Sequence, residues 1–335
     1  MSFSPKNKGN VCTSCGSVFS IKYNYDFSKK PFDDKALTLE KDELADSLQT
    51  LKCSSCGANL MLSRGQMQTN CPYCGNSAIV KQRSKKLMYI DSIIPFAFDK
   101  NEALKKFKTT MNRRFYANKK LFKKLTEQDI NGAYVNAFVF DFNTVSNYSG
   151  TFSYTSTETD AEGKVTTKTN YKNVYGQLDK AFKNITVEAN SNLEQRELFG
   201  IMPFDYASSV VFKDEFMHGY MLEYQDKMFA DCVKTAERIM EKAIKDELLR
   251  KYDCEQIVNL SLNISYSDKK YNYCLLPVYF ITRVDEKNKP HKVIMNGQTG
   301  KVGRLPKSRW KIALTALLGC SLFVGICLLF AFLFT

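Results

Sequence analysis

Four cysteines in two pairs are the residues of this chain best placed to do chemistry. Cys53-Ser-Ser-Cys56-Gly and Cys71-Pro-Tyr-Cys74-Gly stand 14 residues apart, giving C-x2-C-x14-C-x2-C. Thiolates at that spacing are the ligand set of a zinc ribbon, in which tight knuckles on two neighbouring hairpins supply a tetrahedron of sulfur. The glycine after each second cysteine permits the backbone turn that aims local N–H groups at the sulfurs. Four protein ligands close the coordination sphere. The expected metal, one Zn2+ per chain, is therefore structural and leaves no position for water or substrate. Redox-active or merely buried cysteine is the competing reading, and paired knuckles at this spacing weigh against it.

Cys12-Thr-Ser-Cys15-Gly is a third knuckle without a mate. Nothing upstream or in the next 35 residues completes it, and His218 and His291 are remote in sequence. Three readings stay open for Cys12 and Cys15: a vestige, a metal shared across two chains, or ligands borrowed through the fold. Cys232, Cys254 and Cys274 show no pairing and are expected to be small buried hydrophobes. Cys320 and Cys327 fall in an apolar stretch near the end of the sequence.

Other chemistries lack their residues. The chain has two histidines, no GxSxG, no HExxH and no phosphate-binding G-x-x-x-x-G-K-[ST] loop. Asn296-Gly-Gln-Thr-Gly300 resembles a phosphate loop only superficially, since NG between β-rich runs is the signature of a hairpin turn. No catalytic residue is assigned, and a non-enzymatic protein is expected.

The elements that must position the cysteines include one that fixes their compartment. Ile312 to Thr335 contains no Asp, Glu, Lys, Arg or His. As a helix it is ~36 Å long, enough to cross a ~30 Å hydrocarbon core, and a single C-terminal transmembrane anchor is expected there. Lys301, Arg304, Lys307, Arg309 and Lys311 precede it without an acid, and Trp310 stands where an interfacial aromatic belongs. By the positive-inside rule the bulk of the chain is expected on the cytoplasmic side of a cell membrane. Thiols there stay reduced, which favours metal over disulfide. The opening residues MSFSPKNKGN carry no apolar core of a signal peptide.

Net charge is +13, and 14 Lys and Arg against the acids Asp91, Asp99 and Glu102 place +11 of it between Lys81 and Lys124. A helix is expected from near Asp99 or Asn101, with Leu104, Phe107 and Met111 on one face. Lys105, Lys106, Lys108, Arg113, Arg114, Lys119, Lys120, Lys123 and Lys124 cover the rest, around Phe115, Tyr116 and Phe122. Anionic lipid or a protein partner is the expected contact for this basic set. Nucleic acid is the rival, because ribbons touch DNA and RNA and the stretch interleaves aromatics with cations. A merely solvated face is the third reading.

Further along, Ala133 to Phe142 and Thr151 to Tyr175 read as strands, the second turning at Asp160 to Gly163. Leu222 to Tyr252 reads as one amphipathic helix, with Phe229, Val233, Ala236, Met240, Ile244 and Leu248 recurring at three and four. Ile257 to Tyr266 and Tyr271 to Val284 read as two more strands. The expected architecture is α+β: a partial knuckle over 1–25, an acidic linker over 26–50, a zinc ribbon over 51–86, a mixed α+β cytoplasmic domain over 87–305 and the anchor over 312–335. The order helix, strands, helix, strands suggests two related halves within 87–305.

With these landmarks stand IIPF at 93–96, RRFYANKKLFKK at 113–124, GAYVNAFVFDF at 132–142, LPVYF at 276–280 and NGQTGKV at 296–302. Together they resemble, along nearly the whole chain, a family of bacterial membrane proteins labelled TFIIB-type zinc-ribbon-containing. Members are sometimes labelled replication factor Y or primosomal helicase-like, a name at odds with the missing nucleotide loop. The resemblance implies a membrane-anchored adaptor or scaffold with partners of the stomatin/flotillin (SPFH) type in envelope stress. A nucleic-acid-binding ribbon tethered to the membrane is the alternative. Two positions depart from the pattern: only Cys12 and Cys15 remain of a first ribbon, and Asn136 replaces a proline.

Overall fold

The computed structural model describes residues 1–33, 48–63, 71–74, 76, 79–81, 89–159, 161, 163–223, 225–286, 289–308, 310, 311, 313 and 315. Strand dominates them. A small antiparallel sheet holds β1 (Ser2–Ser4), β2 (Gly9–Val11) and β3 (Val18–Ser20). Eleven further strands form one sheet: β4 (Lys30–Pro31), β5 (Leu48–Cys53), β6 (Asn59–Ser63), β7 (Ile79–Lys81), β8 (Ser92–Ile93), β9 (Ile130–Thr159), β10 (Val165–Glu188), β11 (Val210–Val211), β12 (Met221–Glu223), β13 (Gln256–Val284) and β14 (Pro290–Asn296). Its order is β11-β8-β13-β9-β12-β6-β5-β7, with β10 also on β9 and with β4 and β14 on β13. Three α-helices pack against it: α1 (Lys100–Arg113), α2 (Gln195–Ile201) and α3 (Phe229–Tyr252).

Period-two alternation explains why the sheet has a core on each side. In β9, Tyr134, Phe138, Phe140 and Phe142 join one cluster, together with Phe107 of α1 and Phe229 of α3. The intervening Ala133, Val135, Ala137 and Val139 join a second cluster with Leu60, Cys53 and Leu198. β13 divides likewise, Tyr273, Leu275 and Tyr279 to the first and Cys274, Leu276, Val278 and Phe280 to the second. Aromatics fill the side under the two long helices. The small residues of β9 admit the ribbon and α2 on the other.

The α+β expectation is corrected: the fold is mostly β, with helices applied to a sheet. Sequence pattern broke the strands where tertiary pairing carries them through. β13 runs from Gln256 to Val284 opposite β9, and Ser267-Asp268-Lys269-Lys270, a turn by composition, is a register shift between Ser267 and Lys270. Asp268 takes φ 48° there, the left-handed geometry of a β-bulge. A second shift between Phe182 and Ile185, with Asn184 at φ 57°, similarly bends β10 on β9. α3 begins at Phe229 and not Leu222, because Met221 and Leu222 pair with β9, and Leu222 and Glu223 with β6.

The C-terminal membrane helix of that expectation is not seen in the described residues. Among the described residues no helix is long and apolar enough to cross a membrane. α3, 24 residues long, buries only one stripe, from Phe229 through Ile244 to Leu248. The expected anchor, Ile312 to Thr335, lies outside the described residues apart from Ala313 and Thr315. Residues 34–47 of the acidic stretch also lie outside them. Just before, Phe32 is buried among Phe140, Phe142, Phe229 and Tyr271, so the chain there is packed on the sheet.

Candidate metal centre

The first knuckle closes the β5–β6 hairpin. Cys53 N–H donates to the Ala58 carbonyl at 2.9 Å, and Gly57 N–H to the Cys53 carbonyl at 2.9 Å. Gly57 takes φ 76°, a left-handed turn that glycine adopts without steric cost. In the second knuckle Cys71 N–H donates to the Asn76 carbonyl at 2.8 Å, and the chain returns as β7 to pair with β5, Cys53 opposite Ile79. The hairpins thus face each other across one strand. Their sulfurs converge: Sγ of Cys53 and Cys74 are 3.6 Å apart, those of Cys56 and Cys71 3.7 Å, and all four lie within 4.8 Å of one another.

A tetrahedron of thiolates at ~2.3 Å from a zinc ion has sulfur–sulfur edges of ~3.8 Å. Two of the six edges match that figure and the rest lie within 4.8 Å, so this cluster can hold a metal such as zinc. Cys53 and Cys71 are fully buried, Cys74 partly, while Cys56 is exposed. Burial pushes the Cys53 thiol up, but backbone N–H groups of Cys56 and Ser55 and the Cys74 thiol outweigh it and bring it down to about 7. Burial raises Cys56 to about 11 and drives Cys71 up as well, aided by the charges of the neighbouring thiols. Four thiolates this close repel, so protons stay on some until a cation replaces them. Metal uptake must expel those protons, and affinity falls as pH falls.

The ribbon is fastened to the sheet at two places. β6 pairs with β12, Leu60 opposite Glu223, and β12 runs parallel to β9. On the second knuckle, Thr282 Oγ1 of β13 donates to the carbonyls of Pro72 at 3.1 Å and Tyr73 at 3.3 Å. The Tyr73 ring lies 4.9 Å from that of Phe280, and Lys292 Nζ sits 5.5 Å over it. Because each attachment belongs to a different hairpin, a metal joining the knuckles also joins their two contacts with the core. Sequence reasoning found the four cysteines that cluster and missed this docking. Its one local signal is Pro72-Tyr73 between the cysteines, where a solvent-exposed knuckle has no need of an aromatic.

Cys12 and Cys15 form a knuckle of the same geometry. Cys12 N–H donates to Ser17 and Gly16 N–H to Cys12, both at 2.9 Å, and Gly16 takes φ 76°. Backbone N–H groups of Cys15 and Ser14 bring the Cys12 thiol down to about 7. No third Cys, His, Asp or Glu among the described residues joins them. Cys232 and Cys274 are buried and Cys254 half-buried, while Cys320 and Cys327 lie outside the described residues.

The basic set divides into free and engaged side chains among the described residues. Lys105, Lys108, Arg113, Lys123 and Lys124 are exposed. Lys106 pairs with Glu102 at 3.3 Å, Lys119 donates to the Asn112 carbonyl at 2.9 Å, and Lys120 meets Glu286 at 3.2 Å in full solvent. Arg114 is structural, donating to the carbonyls of Gly303 and Val302 at 3.0 and 3.1 Å. Of the interleaved aromatics, Phe107 and Phe122 are buried edge-to-face at 5.3 Å, whereas Phe115 and Tyr116 are exposed. Asn296 is a fully buried turn residue: its Oδ1 accepts from the N–H of Gln298 and Thr299, and its Nδ2 donates to Ile201 and Pro203. The NGQTG segment is a turn held to the end of α2 through the inward-facing Asn296 side chain.

No family model, no curated protein and no solved structure matches this chain. None of these comparisons identifies it as a TFIIB-type zinc-ribbon protein.

Proposed function

We propose that this chain is a non-enzymatic adaptor held at a membrane, stapled by one zinc ion on Cys53, Cys56, Cys71 and Cys74. The observation that carries the reading is the closed set of four thiolates, each hairpin of which is docked on the core. Such an ion fastens surfaces together and offers no site to a substrate. Membrane placement rests on the uncharged stretch 312–335 and its basic flank, which put the folded bulk on the cytoplasmic side.

A partner platform is in view. The distal parts of β9, β10 and β13 form a three-stranded antiparallel ribbon, and among the described residues β10 pairs with β9 alone. Tyr154, Tyr171 and Tyr175 are exposed on it. An open edge with amphipathic rings suits strand addition by a protein partner. Nucleic acid fits less well, since two of the three phenylalanines needed as stacking platforms are core.

Cell fractionation followed by co-purification of the full chain from detergent-solubilised membranes tests the proposal. The expected result is a membrane-bound chain that brings down a membrane protein, SPFH-type partners being the class to look for first. Deleting the exposed ribbon tip, residues 156–168, should release that partner while the zinc stays. Recovery in the soluble fraction with DNA or RNA, bound with a specific-to-random ratio of ~10³ or more, would replace the adaptor with a nucleic-acid reader.

A further inference from the structure

Next to the second knuckle, α2 and β14 border a cleft of about 790 Å³. Among the described residues its walls carry Arg196, Lys289, His291, Lys292, Arg304 and Lys307 against one acid, Glu197. That acid is already paired with Lys292, at 3.0 Å. Arg196 engages Glu194, and His291 lies 2.9 Å from Asp285. The side chains of Lys289, Arg304 and Lys307 have no carboxylate partner among the described residues, the Lys289 backbone N–H alone donating to Asp285 Oδ1 at 2.9 Å. Cations converging on one concave space focus a positive potential there, and a cleft of this size takes a small anionic group.

A second hollow of about 330 Å³ shares Arg304, Leu305 and Lys307 with the first and is closed by Arg114, Phe115 and Tyr116. The common wall is firmly held. Ser308 N–H donates to Tyr116 at 2.8 Å, Asn118 N–H to Pro306 at 2.9 Å, and Lys311 Nζ to the Phe115 carbonyl at 2.9 Å. Large rings stand exposed on the same segments and on α2: Phe115 is 59% exposed, Trp310 65% and Phe199, beside cleft residue Gly200, 43%. Aromatics beside cations are the composition of a membrane interface. Lys307 is five residues from Ile312, so at most ~18 Å of chain separates the wall from the uncharged stretch.

We propose that this cleft seats the phosphate-bearing headgroup of an anionic lipid. The inference rests on the membrane placement proposed above. It adds to that placement a site assembled from α2, β14 and residues 304–307, none of which belongs to the basic run around α1. The ammonium groups of Lys289 and Lys307 and the guanidinium of Arg304 are the charges left for the headgroup, since Arg196, His291 and Lys292 already face carboxylates, and the rings settle at the level of the glycerol backbone.

Amine-reactive footprinting of the full chain in lipid nanodiscs tests it. Discs of phosphatidylcholine alone are compared with discs that also contain phosphatidylglycerol, and Lys168 of β10 serves as the internal control. Anionic discs should slow labelling of Lys289 and Lys307 about fivefold and leave Lys168 unchanged. Arg304→Glu with Lys307→Glu should abolish the protection of Lys289 while the metal content stays the same. Incorporation into both discs with equal labelling of Lys289 would overturn the headgroup seat alone. Equal protection by inorganic phosphate in phosphatidylcholine discs would also overturn it, in favour of a soluble anion. Failure to enter discs of either composition would overturn the membrane placement itself.

Discussion

Cys71→Ser is expected to cost the chain its metal and to unfasten the ribbon. Serine is a poor ligand for zinc. Three thiolates leave the sphere open to water, so affinity should fall by more than the roughly 10–100-fold that follows loss of an outer-shell partner. Structural zinc sites contribute their binding free energy directly to folding; at free zinc 1,000-fold above Kd that is about 4 kcal/mol. Cys71 sits in the knuckle held by Thr282 and Phe280, so the damage should spread from the metal to that contact. Hydrogen exchange should quicken at Leu51, Leu60 and Leu222, along the β5–β6–β12 ladder, while Ile244 and Leu248 of α3 keep their protection. Unchanged exchange at Leu60 with the metal gone would show that the ribbon is held by its sheet pairing alone.

Glu223→Gln is expected to raise stability at neutral pH, an outcome opposite to that of most core substitutions. Glu223 is fully buried on β12, and neither carboxyl oxygen has a hydrogen-bond partner among the described residues. Burial pushes its carboxyl from 4.5 to about 8; Lys292 and Lys227 pull the other way, and Asp226 adds to the rise. The folded chain therefore holds a proton that the unfolded chain releases above about 4.5, and each step up in pH between 4.5 and about 8 favours unfolding. At pH 7 the cost is on the order of 3 kcal/mol. Denaturant titrations of the two proteins over pH 5–8 should diverge, wild type losing stability with rising pH while the Gln variant loses less. Parallel curves would mean that the carboxyl finds solvent or a cation.

The cluster of four cysteines was legible because a knuckle is a local object: two cysteines and a glycine within five residues fix its turn, and only the distance between the two knuckles is left to the fold. α1 and the buried stripe of α3 were legible for a similar reason, since Phe107 and Met111, or Met240, Ile244 and Leu248, meet their neighbours within one helix. Strand extent was not. Ser267 to Lys270 looks like a turn until 23 residue pairs between β13 and β9 are seen to span it, and the bulge at Asp268 leaves no mark that composition can show. The attachment of Tyr73 to Phe280 and of Leu60 to Glu223 joins segments 163 to 207 residues apart, beyond any window. For the same reason the basic run drew the eye to Lys105 through Lys124, where charge is dense in sequence. The cleft between α2 and β14 collects its cations from three separate segments.

Zinc-edge X-ray absorption of the purified full chain, with metal content measured on the same sample, tests the central claim most directly. The account predicts one zinc per chain, four sulfur neighbours at ~2.3 Å and no light-atom ligand, unchanged by Cys12→Ser. A first shell containing nitrogen or oxygen, or metal content that persists in Cys71→Ser, would contradict it.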